Sequence, residues 1–176
     1  SMFGANGIAL AGGFVYVAVT FGPIDALGPT SVIYRIPQGG PATLEPVYTY
    51  RGAAVAPGVV VPPIADGLRV HPRTGHLFVV LGGQNQVSEL DIARSPVVEV
   101  RRYARTGGDH PFTNPSTVAF SPDGRWLSTG GSHHGFGVWA ISKEWPYLRA
   151  DEYKSFRYQA SAFVGDSPAQ LVMAEH

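Results

Sequence analysis

Asn6 and Asp66 are the two residues whose types and spacing best suit chemistry. Each stands directly before a glycine and an aliphatic residue, at positions that an internal repeat makes equivalent. An amide oxygen and a carboxylate that converge on one point are ligands suited to Ca²⁺ or a similar divalent cation. Beside a cation, the Asp66 carboxylate can act as a general base on a lactone or ester, or on the attacking water. The alternative is a turn role, because Asn and Asp before Gly are common in turns.

Residues 65–104 predict one complete four-stranded antiparallel unit that would position such side chains. The second strand is the unbroken apolar run 76–81 (HLFVVL), and the third, 86–92 (QVSELDI), alternates polar and apolar residues as a half-buried strand does. The fourth, 97–103 (VVEVRRY), carries charges that protect a free outer edge. An apolar inner strand and a charged outer strand are typical of a β-propeller blade.

The unit repeats along the chain. Segments 6–10 (NGIAL), 66–70 (DGLRV) and 116–120 (STVAF) match one another, and 169–173 (AQLVM) matches more weakly, at intervals of roughly 50 to 60 residues. We therefore predict an all-β, single-domain chain of three four-stranded antiparallel blades plus a partial repeat, equivalent to half of a six-bladed propeller. The predicted blades and the C-terminal remnant cover residues 6–52, 66–104, 116–159 and 160–176.

Two connecting segments are less regular in sequence. The Pro- and Val-rich segment 53–64 predicts an extended crossing between the first two blades. Residues 152–159 fit either a fourth strand of the third blade or a short helix, and we favour the strand.

Propeller geometry collects polar loops on one face. The loops that enter each innermost strand share a face with the loops that join second and third strands, so we expect a ligand-binding rim there. Its predicted members are Asp25, Asn85, Asp109, His110, Asn114, Ser116, His133 and His134. Asp109 and His110 can form an acid–base couple, but we favour turn-forming and capping roles for them. His133 and His134 are adjacent, and would point to opposite faces if they lay in a strand.

The segments 5–10 (ANGIAL) and 65–70 (ADGLRV), each followed by a turn and an apolar strand, resemble the regucalcin/gluconolactonase-like six-bladed propellers. In that family an Asn and an Asp, each before Gly on successive blades, bind one divalent cation, and the Asp takes part in opening sugar lactones. The resemblance covers about residues 5–141. It implies that Asn6 and Asp66 bind calcium or another divalent cation and that Asp66 is catalytic. The family's further ligand, a Glu near the start of full-length chains, has no match here.

Composition excludes several classes of function. Hydrophobic residues make up 44% of the chain and charged residues 15%, which suits a buried core. Lys plus Arg and Asp plus Glu are 13 each, so nothing in the charge indicates a nucleic-acid or membrane partner. The absence of cysteine excludes disulfides and thiolate chemistry. Without a long apolar run or a basic, apolar leader we expect a soluble chain with no signal peptide, and its location is not indicated.

Three blades do not close a ring, so an apolar sheet face is expected at each end of the arc. We expect two chains to associate about a two-fold axis into a homodimer that closes the propeller. The alternatives are a piece of a longer propeller, or a cap formed by the segment after Ser142.

Two classes of function remain open. The first is a metal-dependent hydrolase acting on small lactones or esters. The second is a non-catalytic propeller module that binds a small molecule or a protein on the same rim, or an incomplete propeller without activity of its own.

Overall fold

A computed structural model describes residues 3–24, 28–104, 115–131, 136–143, 148–150, 158–165 and 170–175. These residues form sixteen β-strands and one short 3₁₀ turn, Gly82–Gln84, so the chain is all-β as its sequence predicts. No helix in this part of the chain has the length and hydrophobicity required to span a bilayer.

Three four-stranded antiparallel sheets follow one another, and within each sheet the strands pair in sequence order. Sheet one contains β1 (Phe3–Ala11), β2 (Phe14–Phe21), β3 (Thr30–Pro37) and β4 (Glu45–Arg51). Sheet two contains β7 (Ala65–Val70), β8 (Leu77–Leu81), β9 (Gln86–Asp91) and β10 (Val98–Ala104). Sheet three contains β11 (Pro115–Phe120), β12 (Trp126–Gly131), β13 (Phe136–Ala140) and β14 (Leu148–Ala150).

The segment between sheets one and two differs from the prediction. Instead of an extended crossing, β5 (Ala53–Ala56) and β6 (Val59–Val61) form an antiparallel hairpin. Gly58 allows the turn between them because its φ is +74°, a conformation that glycine adopts without steric cost.

The C-terminal part also differs from the prediction. β14 (Leu148–Ala150) pairs with the outer edge of β13. The fourth-strand position that was predicted for residues 152–159 is therefore occupied by β14. Residues 151–157 lie outside the described part of the chain, and Tyr158 begins β15 (Tyr158–Val164), which pairs with β16 (Gln170–Glu175). β15 packs against β11 and β12, as β11 packs against β7 and β8. The inner strand of the partial repeat is therefore β15, and the weak sequence match at 169–173 falls largely on β16.

The loop that enters an innermost strand and the loop that joins the second and third strands are predicted to lie on the same face of the propeller. Sheet two confirms this prediction. The backbone N–H groups of Gly82 and Gly83, in the turn between β8 and β9, donate to the carbonyl oxygens of Ile64 and Pro63, at 3.0 and 3.1 Å. Ile64 and Pro63 belong to the loop that enters β7. The two loops are therefore joined directly at one end of the sheet.

A buried histidine joins sheets two and three at the other end. His71 Nδ1 accepts the backbone N–H of Thr74 at 3.1 Å, so its Nε2 carries the proton and donates to the Gly124 carbonyl oxygen at 2.8 Å. His71 and Gly124 belong to the turns that follow β7 and β11. This bond holds two equivalent turns together.

The core has two layers, and β8 contributes to both. On one side Leu77, Val79 and Leu81 pack against sheet one, and on the other Phe78 and Val80 pack against sheet three. All five side chains are 0% exposed. A strand that is buried on both faces has no reason to alternate with polar residues, which explains the unbroken apolar run in the sequence.

Truncation of neighbouring residues on β8 tests this double burial. Val79→Ala and Val80→Ala, which face opposite sheets, should each lower the free energy of unfolding by about 2 kcal/mol, from lost apolar burial and the cavity left behind. Val100→Ala, at a side chain that is 42% exposed, serves as the control and should change stability by less than about 0.5 kcal/mol. Urea denaturation measures all three, and a near-neutral effect at either buried valine would show that its face of sheet two is open.

Candidate functional site

The innermost strands of the three sheets share an irregularity at the same place. The register with the second strand shifts between Ala5 and Gly7 in β1, between Ala65 and Leu68 in β7, and between Pro115 and Thr117 in β11. Such a β-bulge inserts one extra residue and redirects its side chain. The shifts contain Asn6, Asp66 with Gly67, and Ser116, so three residues singled out from the sequence occupy equivalent bulges.

The two glycines of this repeat allow the inner strands to approach closely. A Cβ on Gly67 would lie 2.5 Å from the Ser116 carbonyl oxygen, and a Cβ on Gly7 would collide with the Asp66 carbonyl oxygen. In each case the carbonyl of one inner strand rests against the glycine of the preceding one. Asn6 and Asp66 therefore precede glycines that lie within strands rather than in turns, and the glycines are required for steric reasons.

A cavity of about 360 Å³, here called the axial cavity, lies where β1, β7 and β11 meet. Its lining residues are Asn6, Gly7, Ile8, Asp66, Gly67, Leu68, Arg69, Ser116, Thr117 and Val118. Asn6 and Asp66 therefore line one cavity together with Ser116. Asn85 lies elsewhere: it ends the 3₁₀ turn and lines a second cavity of about 350 Å³ beside the β5–β6 hairpin.

The Asn6 side chain is held by the first two sheets. Its Nδ2 donates to Thr20 Oγ1 at 2.8 Å, and Thr20 Oγ1 donates to the Ala65 carbonyl oxygen at 2.9 Å. Because the threonine proton is used on Ala65, the threonine oxygen must accept from Asn6, which fixes the orientation of the amide. Ser31 adds a parallel link, since its Oγ accepts the Ala65 N–H at 3.1 Å. The residue that precedes Asp66 is thus anchored through two side chains of sheet one.

Asp66 is half-buried and, among the described residues, has no hydrogen-bond donor or cation beside its carboxylate. Burial raises the pKa of the Asp66 carboxyl above its ordinary value, because the charged form loses water without a compensating partner. Such a carboxylate favours binding of a cation or a hydrogen-bond donor.

Arg69 lines the same cavity and was missed by the sequence analysis. Its Nη1 donates to the Leu68 carbonyl oxygen at 3.2 Å, and no carboxylate in the described part of the chain pairs with it. In a regular strand, residues three apart point to opposite faces of the sheet. Asp66 and Arg69 line the same cavity because the bulge between them shifts this alternation. The sequence does not reveal the bulge.

The other predicted site residues lie outside the described residues: Asp25, Asp109, His110, Asn114, His133 and His134. Within the described ranges, no group of three or more His, Cys, Asp or Glu side chains is arranged to hold a metal ion. Ca²⁺ takes roughly six to eight oxygen ligands, and the described side chains that were predicted as ligands supply only the Asp66 carboxylate and the Asn6 amide oxygen. These two residues alone do not make a calcium site.

The arrangement of the sheets matches a solved structure. The crystal structure of the Myceliophteria thermophila Cps50 (Swd1) β-propeller domain aligns with a TM-score of 0.62 and 14% sequence identity, over 97% of this chain and 50% of that one. The fold is a β-propeller. Sheets one to three are its blades one to three, and this chain spans half the length of the propeller that it matches.

No protein-family model matches the sequence, and no curated protein gives a significant match. The match to the solved propeller shows the fold alone. The resemblance to the regucalcin/gluconolactonase-like family therefore stays a prediction from the sequence.

Adding a methyl group to the inner strand of blade two tests the close approach of the strands. Gly67→Ala should lower the free energy of unfolding by about 1–3 kcal/mol, because the new Cβ must displace the backbone of β11. In Gly40→Ala, the control, the Cβ meets only the Pro37 side chain at 3.4 Å, an ordinary contact. Thermal and urea unfolding should separate the two variants clearly, and equal stability would contradict the close packing of β7 on β11.

Proposed function

We propose that this chain is a non-catalytic propeller module that binds a small molecule in the axial cavity. One observation carries the proposal. Asp66 and Arg69 line a single cavity of about 360 Å³, and neither has a protein counter-ion among the described residues. Asp66 is half-buried, and a charged group that is partly withdrawn from water is costly unless it is paired, so a ligand that supplies a partner to Asp66 gains free energy on binding. Arg69 is exposed and supplies a second, opposite charge to the same cavity.

The two charges indicate the ligand's chemistry. A protonated amine suits the Asp66 carboxylate, and a carboxylate or phosphate suits the guanidinium of Arg69. A hydrogen bond to a charged group contributes about 1.5–3 kcal/mol, so each contact is large enough to discriminate between ligands. The proposed ligand class is therefore a small zwitterion, such as an amino acid or a related amine that carries an anionic group.

A calcium-dependent hydrolase of lactones or esters is the second candidate. It is supported by the position of Asn6 and Asp66, which line one cavity as the sequence resemblance implies. It ranks second because one carboxylate and one amide oxygen supply few of the roughly six to eight oxygen ligands that Ca²⁺ takes.

A matched ligand panel separates these proposals. Isothermal calorimetry would compare L-amino acids with the corresponding amines that lack the carboxylate and the corresponding acids that lack the amine. We expect the zwitterions to bind at least tenfold more tightly than either counterpart, a difference of about 1.4 kcal/mol. Asp66→Asn should reduce binding of the amines, and Arg69→Gln should reduce binding of the acids.

Glu45→Gln is the matched charge control, because Glu45 pairs with Arg35 in an exposed ion pair away from the cavity. It should leave binding unchanged. Failure of the whole panel to bind would refute the small-zwitterion proposal. Asp66-dependent binding of Ca²⁺ together with turnover of a lactone would establish the second candidate instead.

A further inference from the structure

Blade one has an apolar face on the side away from blade two. Cross-strand partners share a face of an antiparallel sheet, and the pairs across β1, β2 and β3 are apolar throughout this face. This back face comprises Ile8, Leu10, Val15, Val17, Val19, Val32, Tyr34 and Ile36. Ile8 and Leu10 are 61% and 63% exposed, so the inner strand of the face is open to solvent.

The same face in blade two is an interface between blades. The row Leu10–Val15–Ile36 of blade one corresponds by register to Val70–Leu77–Leu90 of blade two. Leu77 and Leu90 are buried against blade one. The back face of blade one therefore has the residues of a blade–blade contact, while the described part of the chain supplies no blade to cover it.

The other end of the arc also has an open apolar face. β15 and β16 form a two-stranded sheet, and β16 pairs with no further strand among the described residues. Val164 and Val172 are 44% and 52% exposed, and Val172 pairs with Ala162, which is also exposed. Because β15 packs against blade three, we assign this open face to the side away from that blade. One chain thus carries the two halves of a blade–blade contact, one at each end.

We propose that a second copy of this chain covers both faces, giving a two-fold symmetric dimer. The back face of blade one packs on the β15–β16 face of the partner, and the symmetry operation makes the reciprocal contact at the same time. Continuity favours this occupant, because the contact repeats the one already present between blades one and two.

Light scattering on a sizing column tests the proposal with the chain as it stands. The expected result is a monodisperse species near twice 18.8 kDa. Leu10→Glu and Val172→Glu, one at each end of the arc, should each convert the dimer to a monomer. Val55→Glu is the control, because Val55 is 63% exposed in the β5–β6 hairpin, outside both faces. It should leave the dimer intact.

Cross-linking keeps the test valid if a glutamate variant fails to fold. The chain has no cysteine, so a Leu10→Cys/Val172→Cys double variant introduces the only thiols. Oxidation should link two chains through both ends, whereas each single variant should stay unlinked. A monomeric wild-type chain would overturn the proposal and leave these faces to a different partner, such as further blades of a longer chain. Open-ended oligomers, or cross-linking by either single variant, would overturn the two-fold arrangement.

Discussion

The burial of β8 on both faces is the constraint on which the rest of the molecule depends. Five consecutive side chains of this strand are removed from water, three against blade one and two against blade three. The central blade can therefore exist only with a neighbour on each side. The stacking of three sheets follows from this requirement, and so does the meeting of their inner strands at one cavity.

The axial cavity results from the same stacking. Packing on β8 draws the three inner strands together until the carbonyl of one strand rests on a glycine of the preceding strand. Bulges at equivalent places then direct Asn6, Asp66 and Ser116 towards the cavity. The hydrogen bonds from Asn6 through Thr20 to Ala65 hold the strand beside Asp66 in place. Asp66 itself keeps no partner among the described residues, which is the pattern expected of a group that serves a ligand rather than the fold.

The sequence predicts the parts of this fold that are set by local patterns. The apolar run in β8, the repeated inner strands and the grouping of loops can be recognised because each depends on residue type and spacing within one unit. The convergence of Asn6 and Asp66 was also predictable, since equivalent positions of a repeat become equivalent positions in space. The turn interpretation of the glycines failed because each glycine contacts a strand that lies 59 or 49 residues further along the chain (Gly7 with Asp66, Gly67 with Ser116).

Features set by register could not be predicted from the sequence. A single bulge reverses the alternation in β7, and for that reason Arg69 was missed as a neighbour of Asp66. The β5–β6 hairpin was missed because Pro-containing segments usually indicate irregular structure. The short β14 was missed because the fourth strand of blade three was assigned to residues 152–159 instead. In both cases the decisive contact joins backbone groups, whose pairing leaves little trace in residue types.

The axial cavity holds the half-buried Asp66 carboxylate, which has no partner among the described residues. Titration of the Asp66 carboxyl by carbon NMR tests this arrangement most directly, with Asp66→Asn to assign the resonance. We expect a titration midpoint above the ordinary aspartate value of about 3.9, because burial without a partner disfavours the charged form. A midpoint at or below that value would show that donors or a cation already stabilise the carboxylate, and would contradict the proposed site.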